Sequence, residues 1–593
     1  MKIFTGFLTV FLLAFGGITI AQQEEFLPKE LTENEKLWME TYLQSFDNRG
    51  ISTPPPFANL RTSAEWEEVQ ALVITWTNQY NSIQSQIVDA AQEECEVIIM
   101  CTDSNAVKTN LTSFGVPDIN LSFIEVGYNS IWIRDYGSNS VYVNDVDSLI
   151  LVDWIYNRPR PLDDVIPDAY AAYLGIDLYS TTANPNRIMN TGGNWMTDGS
   201  GQAFASELVL DENDGSGPYA LSYPNHTETE INDIFLAWMG IDSYIKMTVC
   251  PYDGIHHIDM HMKIIDDETL LVGEYPDGVA DGPQIEANIQ YILSNFLTKY
   301  GTPYKVIRVP QVPSVSGLYP DNGASYRTYA NQTFVNKTIL LPVYRTEYDT
   351  VALNILAQAM PGYNIVTIDV DNSGENLISA GGAIHCITHT VGVSDPILIT
   401  HKKLEDTYDD LNPYFASAEI QHKSGILAGT LFYKTSIGGA YTSIAMTNTT
   451  GNTWTALIPA QSVGTTVYYY IEGEANTGRV TTHPVPAPAG YHQFDILDAG
   501  SVDVAEENPA TLNSIYPNPA SAITVIPLEF NQPVNCKIIM TNMLGEIVAE
   551  IYDGPVQQGA KNFFIDASQF STGVYQVVVL TDTYKLYQKL VIQ

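Results

Sequence analysis

The stretch "SAGGAIHCITHTV", Ser379–Val391, is the part of the chain around which the rest can be arranged. It places Cys386 directly after His385 and shortly after the pair Gly381 and Gly382, among residues typical of a buried strand and turn. A thiolate nucleophile needs an approachable backbone and a neighbouring group that holds or moves a proton, and a loop flanked by glycine supplies that approach. A buried cysteine is also an ordinary small core residue, so this stretch alone leaves both interpretations open.

The composition indicates a globular protein of several domains. The chain has 593 residues, of which 45% are hydrophobic, and it contains 36 tyrosines. This length predicts about three or four domains. The 27 lysines and arginines stand against 68 aspartates and glutamates, which gives a formal net charge of -41. A field of this sign repels nucleic acid and favours cationic ligands, so we expect no nucleic-acid partner.

Residues 1–21 predict a cleavable signal peptide. They combine a lysine with an apolar run of signal-peptide length, and they end on a small residue before Gln22. No later stretch is apolar enough to cross a bilayer, so we expect a soluble, secreted protein.

The five cysteines are too few for a disulfide framework in an exported chain of this length. Their odd number leaves at least one thiol unpaired if none joins another chain, and we predict that Cys386 is unpaired. Cys95 and Cys101 flank a strand-like run and can pair only if the backbone folds back between them. The cysteines are Cys95, Cys101, Cys250, Cys386 and Cys536.

Changes in pattern along the chain divide it into a leader and three domains. Residues 22–60 are a polar, proline-marked leader. Residues 61–415 alternate apolar β-rich runs with amphipathic segments, which predicts an α/β domain. Residues 416–500 contain short alternating strands between turns and no helix signal, which predicts an immunoglobulin-like β-sandwich. A linker at 501–510 leads to a second all-β sandwich domain at 511–593.

Periodicity within the α/β domain predicts two clear helices and seven strands. The helix Gln284–Lys299 has one apolar stripe that includes Leu297, and the helix Val351–Met360 follows a cap at Asp349 or Thr350. The predicted strands are Val97–Met100, Leu149–Trp154, Leu270–Glu274, Val306–Val309, Ile339–Val343, Ile365–Val370 and Ile397–Thr400.

The motif "SIWIRDYGS" places a carboxylate, Asp135, among aromatic residues in an otherwise apolar segment. A carboxylate that is half removed from water binds a cation more strongly than an exposed one. Asp135 is therefore a candidate for holding a cationic group of a substrate. The alternative is an internal ion pair with the neighbouring Arg134.

The motif "HHIDMH", His256–His261, offers imidazoles next to a carboxylate. Alternation at His257, Asp259 and His261 predicts that these three side chains share one face of a strand, so that imidazole and carboxylate can address the same ligand. The same three residues could form a metal site, since imidazole and carboxylate are common zinc ligands. They could also be satisfied polar residues on an exposed strand.

Two carboxylates, a histidine and a cysteine together suggest chemistry on a guanidinium group. Asp135 and Asp259 would accept hydrogen bonds from the planar cation and hold it against the sulfur. The Cys386 thiolate would attack the guanidinium carbon, and His257 would protonate the departing ammonia and then activate water. Because an unperturbed thiol has a pKa of about 8.5, the site or the bound cation must stabilise the thiolate.

Six motifs in order along the chain resemble those of the guanidino-group-modifying enzymes, and within them the bacterial peptidylarginine deiminases and agmatine deiminases. The motifs are "AEWEEVQALVITW" (64–76), "IWIRDYG" (131–137), "MNTGGNWMTDG" (189–199), "HHIDMH" (256–261), "SYRTYANQTFVN" (325–336) and "GGAIHCITHTV" (381–391). The resemblance implies a five-bladed pseudo-symmetric α/β propeller, the pentein fold, with the site on its axis and no metal or cofactor.

The resemblance also implies which residues form the site. Asn331 is expected to help orient the thiolate. The implied catalytic residues are Asp135, His257, Asp259, Asn331 and Cys386, and the implied substrate-binding residues are Trp132, Arg158, Arg160 and Ile255.

The stretch "DWIYNRPRPLDD", 153–164, bears on the substrate. By the resemblance, Arg158 and Arg160 match an arginine pair that binds the α-carboxylate of a C-terminal arginine, and two guanidinium groups suit that role. Agmatine has no carboxylate to offer such a pair. However, His261 completes a His-x-Asp-x-His sequence that looks more like that of agmatine deiminases. A solvated basic loop is the structural alternative. We expect a peptidylarginine deiminase, with an agmatine deiminase or a non-catalytic surface binding protein as alternatives.

The C-terminal region predicts how the protein is exported. "SIYPNPAS" (514–521) and "GVYQVVV" (573–579) resemble the sorting domain of type IX secretion cargo. Residues 416–500 resemble the immunoglobulin-like domain that follows the catalytic domain in secreted peptidylarginine deiminases. The expected partners are the type IX secretion machinery and peptides or proteins that contain arginine, and the expected location is extracellular or on the cell surface. The oligomeric state is left open.

Overall fold

A computed structural model describes most of the chain after the predicted signal peptide. The described residues are 27–44, 49–215, 225–498, 510–512, 515–542, 547–581 and 585–593. The predicted signal peptide at 1–21 and all but the last residue of the predicted linker lie outside these ranges. No helix within them is both long and apolar enough to cross a membrane.

The chain divides into two compact units. The first contains the residues up to 404 together with 413–458 and 467–493. The second contains residues 405–412, 459–466 and 494–593.

Five small mixed sheets build residues 60–392 of the described chain, and a short strand pair, Ile155–Tyr156 with Met189–Asn190, accompanies them. In each sheet an antiparallel pair is extended by a strand that runs parallel to its neighbour. The strands are, for sheet A, Leu60–Thr62, Asn139–Val143, Ser148–Asp153 and Leu178–Ser180; for sheet B, His389–Gly392, Val69–Thr75, Glu96–Cys101 and Leu121–Glu125; for sheet C, Met196–Thr197, Gln202–Ser206 and Ser243–Met247; for sheet D, Met262–Asp266, Thr269–Glu274 and Lys305–Pro310; and for sheet E, Thr333–Val335, Thr338–Val343 and Asn364–Asp369.

Helices occupy the crossovers, because a parallel strand is reached only by a connection that passes over a face of the sheet. The crossover helices are Ile166–Leu174 in sheet A, Asn81–Ala91 and Ser104–Ser113 in sheet B, Glu228–Met239 in sheet C, Gly282–Asn295 in sheet D and Thr346–Ala359 in sheet E. The other helices are Glu33–Gln44 in the leader, Ile133–Tyr136, Pro161–Asp164 and Leu208–Asp211. This alternation of strand and helix confirms the predicted α/β class.

The seven predicted strands are all present, and their ends are shifted by no more than one residue. The two predicted helices are also present but with different bounds. Gly282–Asn295 ends before the predicted end, and Leu297 is exposed instead of belonging to the buried stripe. Thr346–Ala359 begins earlier than predicted, so Asp349 and Thr350 lie inside the helix and do not cap it.

Residues 398–495 are all β within the described chain. One sheet contains Leu398–Thr400, Tyr414–Gln421, Thr453–Ile458 and Thr447–Thr450, and the other contains Thr442–Ala445, Ile426–Lys434, Thr466–Ala475 and Val480–His483, with His492–Asp495 as a further strand. Leu398–Thr400, which the sequence pattern places in the α/β domain, pairs antiparallel with Tyr414–Gln421.

The second unit is also built from strands. Ala510–Leu512, Ile523–Phe530 and Gly559–Asp566 form one sheet, and Ile547–Val556, Val534–Asn542, Gly573–Thr581 and Lys585–Ile592 form the other. Both sheets contribute to one apolar core; Leu528 and Ile565 come from the first, and Ile538 and Val577 from the second.

Candidate active site

Five turns carry most of the polar residues predicted from the sequence, and each turn directly precedes a strand of the antiparallel pair in a different sheet. The turn Ile133–Tyr136 contacts the turns Gly192–Asn194 and His385–Ile387, and Gly192–Asn194 contacts Ile258–Met260. Asn331 lies just before the strand Thr333–Val335 in sheet E. The topology therefore brings distant parts of the chain together, with Asp135, Asp259, Asn331 and Cys386 at the meeting point.

Cys386 is fully buried at this point, and all five cysteines are free thiols. Asn331 Nδ2 lies 3.3 Å from the sulfur, and Asn331 Oδ1 accepts the backbone N–H of His385 at 3.0 Å. The amide thus fixes both the sulfur and the turn that carries it. Burial raises the pKa of the Cys386 thiol to about 12; Asp259 adds to this shift and Lys29 opposes it. The thiolate therefore needs a neighbouring positive charge.

The carboxylate of Asp259 lies close to the sulfur, with its Oδ2 at 3.7 Å. His385 Nδ1 donates to the same oxygen at 2.8 Å, and His385 Nε2 lies 2.9 Å from Glu65 Oε2. Burial works against the charge on Asp259, but Lys29 and the hydrogen bond from His385 outweigh it and lower its pKa. Asp259 is thus an ionised acceptor whose orientation is set by a chain of two further residues.

His385 and Glu65 had no such role in the sequence interpretation. In the sequence His385 is only the neighbour of the cysteine, and Glu65 is one of several glutamates in the "AEWEEV" motif. Burial and Arg134 lower the pKa of His385, and Glu65 opposes them. Arg134 Nε donates to the His385 carbonyl at 3.3 Å, so Arg134 supports this chain and the suggested ion pair with Asp135 is absent.

Asp135 and His257 form the second polar pair. His257 Nδ1 and Asp135 Oδ1 are 3.6 Å apart, and both residues are buried. Burial raises the pKa of Asp135, although Lys29 opposes the shift. Burial, with Lys29 as the next contribution, holds the pKa of His257 well below its usual range. The imidazole is therefore neutral.

Glycines in two of the motifs make these close approaches possible. A Cβ on Gly193 would lie 2.2 Å from His257 Nδ1 and 3.0 Å from Asp135 Oδ1. A Cβ on Gly382 would lie 2.7 Å from the Trp132 ring and 2.9 Å from the Cys386 sulfur. Only glycine fits at these two positions without displacing a site residue.

The segment around His257 is not the predicted strand. Ile258–Met260 is a 3₁₀ turn, so His257, Asp259 and His261 do not share a strand face. His261 Nε2 instead lies 2.9 Å from Asp253 Oδ2. Across the described residues, no group of three or more His, Cys, Asp or Glu side chains is arranged to hold a metal ion.

Arg158 and Arg160 are buried, so the alternative of a solvated basic loop is wrong. Arg158 Nε donates to the carbonyl of Lys29 at 3.1 Å. Arg160 Nη2 donates to the carbonyl of Pro28 at 2.7 Å, and Arg160 Nε donates to Glu35 Oε1 at 2.7 Å. Both guanidinium groups therefore face the main chain of the leader.

The remaining predicted binding residues, Trp132 and Ile255, belong to the same buried cluster as Cys386. Trp132 Nε1 donates to the carbonyl of Leu27 at 3.0 Å. The ammonium of Lys29 lies 5.9 Å from the centre of the Trp132 ring, which is a cation–π distance.

Lys29 is the residue that the sequence interpretation missed entirely. Its ammonium donates to the Cys386 sulfur at 2.8 Å and lies 3.6 Å from Asp135 Oδ1. Burial disfavours the charge, but the combined attraction of Asp135, Cys386 and Asp259 outweighs it and raises the pKa of Lys29. The arrangement therefore binds a cation directly beside a nucleophile.

Comparison with known proteins adds two family matches. Residues 61–391 match the family model described as Porphyromonas-type peptidyl-arginine deiminase. Residues 514–593 match the one described as secretion system C-terminal sorting domain.

Individual relatives cover the same α/β region. A protein of Mycoplasma mycoides subsp. mycoides SC, named provisionally as an agmatine deiminase, is 25% identical over 300 residues, which are 46% of this chain and 77% of that relative. A Vibrio parahaemolyticus protein with the same provisional name is 22% identical over 377 residues, 58% of this chain and 99% of that relative. The solved structure of the C. jejuni agmatine deiminase has a TM-score of 0.45 at 19% identity. The match covers 56% of this chain and 96% of that protein's chain.

Proposed function

The chain belongs to the Porphyromonas-type peptidyl-arginine deiminase family, whose model matches more than half of its residues, and we propose that it converts peptidyl-arginine, preferably C-terminal arginine, to citrulline and ammonia. Members of this family are hydrolases that act on C–N bonds of amidines. A type IX C-terminal sorting domain at 514–593 implies secretion or attachment to the cell surface.

One observation carries the proposal: a buried cation already contacts the sulfur of a cysteine and the carboxylate of Asp135, and the carboxylate of Asp259 lies 3.7 Å from the same sulfur. Lys29 Nζ lies 2.8 Å from Cys386 Sγ and 3.6 Å from Asp135 Oδ1. In the reaction, the guanidinium of the substrate takes this position. Asp135 and Asp259 accept its N–H groups and hold it in the plane that exposes the central carbon to the sulfur.

The first half of the proposed reaction forms a covalent intermediate. Neutral His257 takes the thiol proton, and the positive charge of the substrate stabilises the thiolate as it forms. The sulfur attacks the guanidinium carbon, and a carbon–sulfur bond forms. His257 returns the proton to the departing nitrogen, the carbon–nitrogen bond breaks, ammonia leaves, and a thiouronium remains on Cys386.

The second half regenerates the thiolate. Neutral His257 removes a proton from water, whose oxygen bonds to the thiouronium carbon. The carbon–sulfur bond then breaks, the hydroxyl proton passes to solvent water, and the arginine side chain leaves as the ureido group of citrulline. The released Cys386 thiolate then takes back the proton that His257 had removed from water. Asn331 positions the sulfur, while His385 and Glu65 are positioning residues that act through Asp259. No step requires a metal or an organic cofactor.

Arg158 and Arg160 are the proposed carboxylate clamp for a substrate that ends in arginine. Their burial and their contacts with the carbonyls of residues 28 and 29 support this role. In a C-terminal arginine, one carboxylate oxygen would occupy the place of the Lys29 carbonyl. Ile255 and Trp132 would form apolar walls of the pocket.

We also propose the finer architecture. The five sheets share one motif, an antiparallel pair extended by a parallel strand, and each contributes a turn to the site, which supports five pseudo-symmetric blades around a central axis. Within the boundaries proposed above, residues 61–415 form the deiminase domain, 416–500 an immunoglobulin-like sandwich and 511–593 the sandwich of the sorting domain. Residues 1–21 are the proposed signal peptide.

Deimination of agmatine is the second candidate, because relatives that cover the α/β region carry that name provisionally. The His-x-Asp-x-His sequence that ends at His261 does not favour agmatine as substrate, since His261 pairs with Asp253. A non-catalytic binding protein is disfavoured by the presence of the whole catalytic set.

The test is citrulline formation from a short peptide that ends in arginine, from its C-terminal amide and from agmatine, with a chelator present. The chain is assayed as wild type and as Lys29→Ala, because the lysine occupies the site. We expect the free-acid peptide to be preferred, and Cys386→Ala to abolish turnover. Preference for agmatine would reassign the substrate, and activity retained by Cys386→Ala would overturn the assigned nucleophile.

A further inference from the structure

The leader passes through the candidate active site. The Lys29 side chain is wholly buried, and its ammonium contacts the sulfur that the proposed reaction uses. No substrate guanidinium can enter while this side chain is in place, because two cations cannot occupy the space between Asp135 and Cys386.

The Lys29 side chain has the reach of an arginine side chain. Its Nζ lies as many bonds from Cα as the guanidinium carbon Cζ lies in arginine. At 2.8 Å from Cys386 Sγ, Nζ therefore marks the position at which the electrophilic carbon of an arginine would meet the nucleophile. Lysine supplies the charge of the substrate at this point but has no carbon that the sulfur can attack.

The main chain of the leader is held by the same groups that would hold a substrate. Lys29 N–H donates to the Ala380 carbonyl at 3.0 Å, and Arg158 Nε donates to the Lys29 carbonyl at 3.1 Å. Arg160 Nη2 donates to the Pro28 carbonyl at 2.7 Å. These contacts fix the backbone on both sides of the buried side chain.

A second set of contacts anchors the leader beyond Lys29. Thr32 and Glu35 form reciprocal capping contacts at the start of the helix Glu33–Gln44, with Glu35 Oε2 accepting Thr32 N–H at 2.8 Å and Thr32 Oγ1 accepting Glu35 N–H at 3.2 Å. The other oxygen of Glu35 accepts Arg160 Nε at 2.7 Å. Met39 and Tyr42 pack with Ile155 and Met189 in a small buried cluster.

We propose that residues 27–44 are an intramolecular pseudosubstrate, in which Lys29 occupies the arginine position and keeps the enzyme inactive until the leader is displaced or cut off. The proposal rests on the proposed function. Tethering favours this state, because the leader competes with substrate at a high effective concentration. An exported enzyme that modifies arginine is thereby held inactive until its leader is removed.

The first test inserts a recognition sequence for a specific protease directly after Gln44 in the full chain, so that the protein folds before it is cut. Wild type, Lys29→Ala and the matched control Lys36→Ala are assayed before and after cutting. Lys36 is an exposed lysine of the same segment, paired with Glu33 on the helix surface. We expect cutting to raise the kcat/KM of the wild type and of Lys36→Ala at least about tenfold, since the leader is then free to dissociate.

The Lys29→Ala chain is expected to be active before it is cut and to gain less from cutting. Equal kcat/KM for intact and cut wild type would overturn the pseudosubstrate.

A binding measurement separates this proposal from the proposed reaction. The same chains with Cys386→Ala are titrated with a fluorescent peptide that contains arginine, before and after cutting. We expect the chain with Lys29 in its leader to bind the peptide only after it has been cut, and this result does not depend on turnover. If the cut chain binds the peptide but the same chain with Cys386 intact does not turn it over, the proposed reaction is rejected and the pseudosubstrate is retained. Equal binding of the peptide before and after the cut would reject the pseudosubstrate.

The second test turns the leader into a substrate. In an intact Lys29→Arg chain the guanidinium carbon at position 29 would meet the sulfur, so we expect this residue to become citrulline in cis. Mass spectrometry of the leader peptide would show the small mass gain of replacing NH by O, and the double variant with Cys386→Ala would not show it. An unmodified position 29, in a chain whose cut form turns over free peptide, would contradict the assigned register.

Discussion

At the scale of single residues, the charge next to the sulfur decides whether the site can react. Burial raises the pKa of the Cys386 thiol to about 12, and Lys29 is the cation that opposes this shift. In the proposed reaction the guanidinium of the substrate takes over that role. Once the leader is displaced, the nucleophile is therefore activated only when an arginine side chain is bound, which protects the buried thiol from other electrophiles.

Glu212 gives a pH-dependent prediction at the same scale. Burial raises its pKa to about 7, and Arg158 opposes the shift. In the unfolded chain this carboxyl group loses its proton near its ordinary pKa of about 4.3. The folded chain keeps the proton up to about pH 7. Between these values the unfolded state binds fewer protons, so the free energy of unfolding falls as the pH rises.

We expect Glu212→Gln to reduce this loss by on the order of 1–3 kcal/mol, because the amide stays neutral throughout the range. The amide can still accept the hydrogen bond from Asn157 Nδ2 that Glu212 accepts at 2.7 Å. The measurement is the thermal midpoint as a function of pH, with the exposed Glu33→Gln as control. Parallel curves for wild type and Glu212→Gln would show that Glu212 is ionised in the folded state.

At the scale of elements, short turns at the starts of strands place the functional groups. The turns Ile133–Tyr136, Ile258–Met260 and His385–Ile387 are each only one helical turn long. A buried strand follows each of them and holds the turn in position. The site is thus rigid because the turns are anchored in the sheets, which suits a reaction that depends on the position of the sulfur relative to a planar cation.

Gly193 offers the sharpest test of this arrangement. A Cβ there would lie 2.2 Å from His257 Nδ1, so Gly193→Ala must displace the imidazole or the turn. We expect kcat/KM to fall by at least about tenfold, because small misplacements of a catalytic group are costly. Gly438→Ala is the control, since nothing lies within 4 Å of its Cβ position. The assay uses chains that also carry Lys29→Ala; equal activity of the two glycine variants would contradict the placement of His257.

The leader helix gives a second prediction at this scale. Glu35 links its first turn to Arg160 at 2.7 Å, so Glu35→Ala should loosen the leader while leaving Arg160 in place. We expect the intact chain to gain several-fold in kcat/KM, as expected from the loss of one buried charge-assisted hydrogen bond. Glu33→Ala, on the exposed side of the same helix, should change nothing. A Glu35→Ala chain no more active than Glu33→Ala would show that this contact does not hold the leader.

The strands were predictable because apolar runs such as Val97–Met100 need only local periodicity to be recognised. The turn at Ile258–Met260 was predicted wrongly as a strand, because alternation over His257, Asp259 and His261 cannot distinguish a strand from a 3₁₀ turn that leads into one. The proposed catalytic residues could be identified from their motifs. The hydrogen-bonded bridge from Asp259 through His385 to Glu65 could not be predicted from the sequence. His385 and Glu65 are 320 positions apart, and their pairing depends on the folded topology.

At the scale of the whole molecule, the two ends of the chain control where and when the proposed reaction occurs. The sorting domain at 514–593 implies secretion or attachment to the cell surface, and the Lys29 side chain of the leader fills the site. Lys29 and Cys386 are 357 residues apart in the sequence, so no local pattern could have indicated their contact. A lysine in a polar segment cannot be recognised as a site residue from the sequence, because its contacts form only when the five sheets bring their turns together around it.

The net charge of -41 gives a prediction for the molecule as a whole. A negative field steers cationic substrates, and salt screens it by shortening the Debye length from about 10 Å at 0.1 M to about 3 Å at 1 M. For the Lys29→Ala chain we expect salt to lower kcat/KM more for an arginine peptide flanked by lysines than for one flanked by aspartates, with little change in kcat. An identical salt dependence for both peptides would show that the net charge does not steer the substrate.

Trapping the covalent intermediate would show whether Cys386 is the nucleophile. The Lys29→Ala chain is quenched with acid during turnover of a peptide that ends in arginine, digested, and examined by mass spectrometry at Cys386. The proposed mechanism predicts an adduct on Cys386 with the mass of the peptide less ammonia. Citrulline formed at full rate while Cys386 stays unmodified, with the same rate in Cys386→Ala, would contradict it.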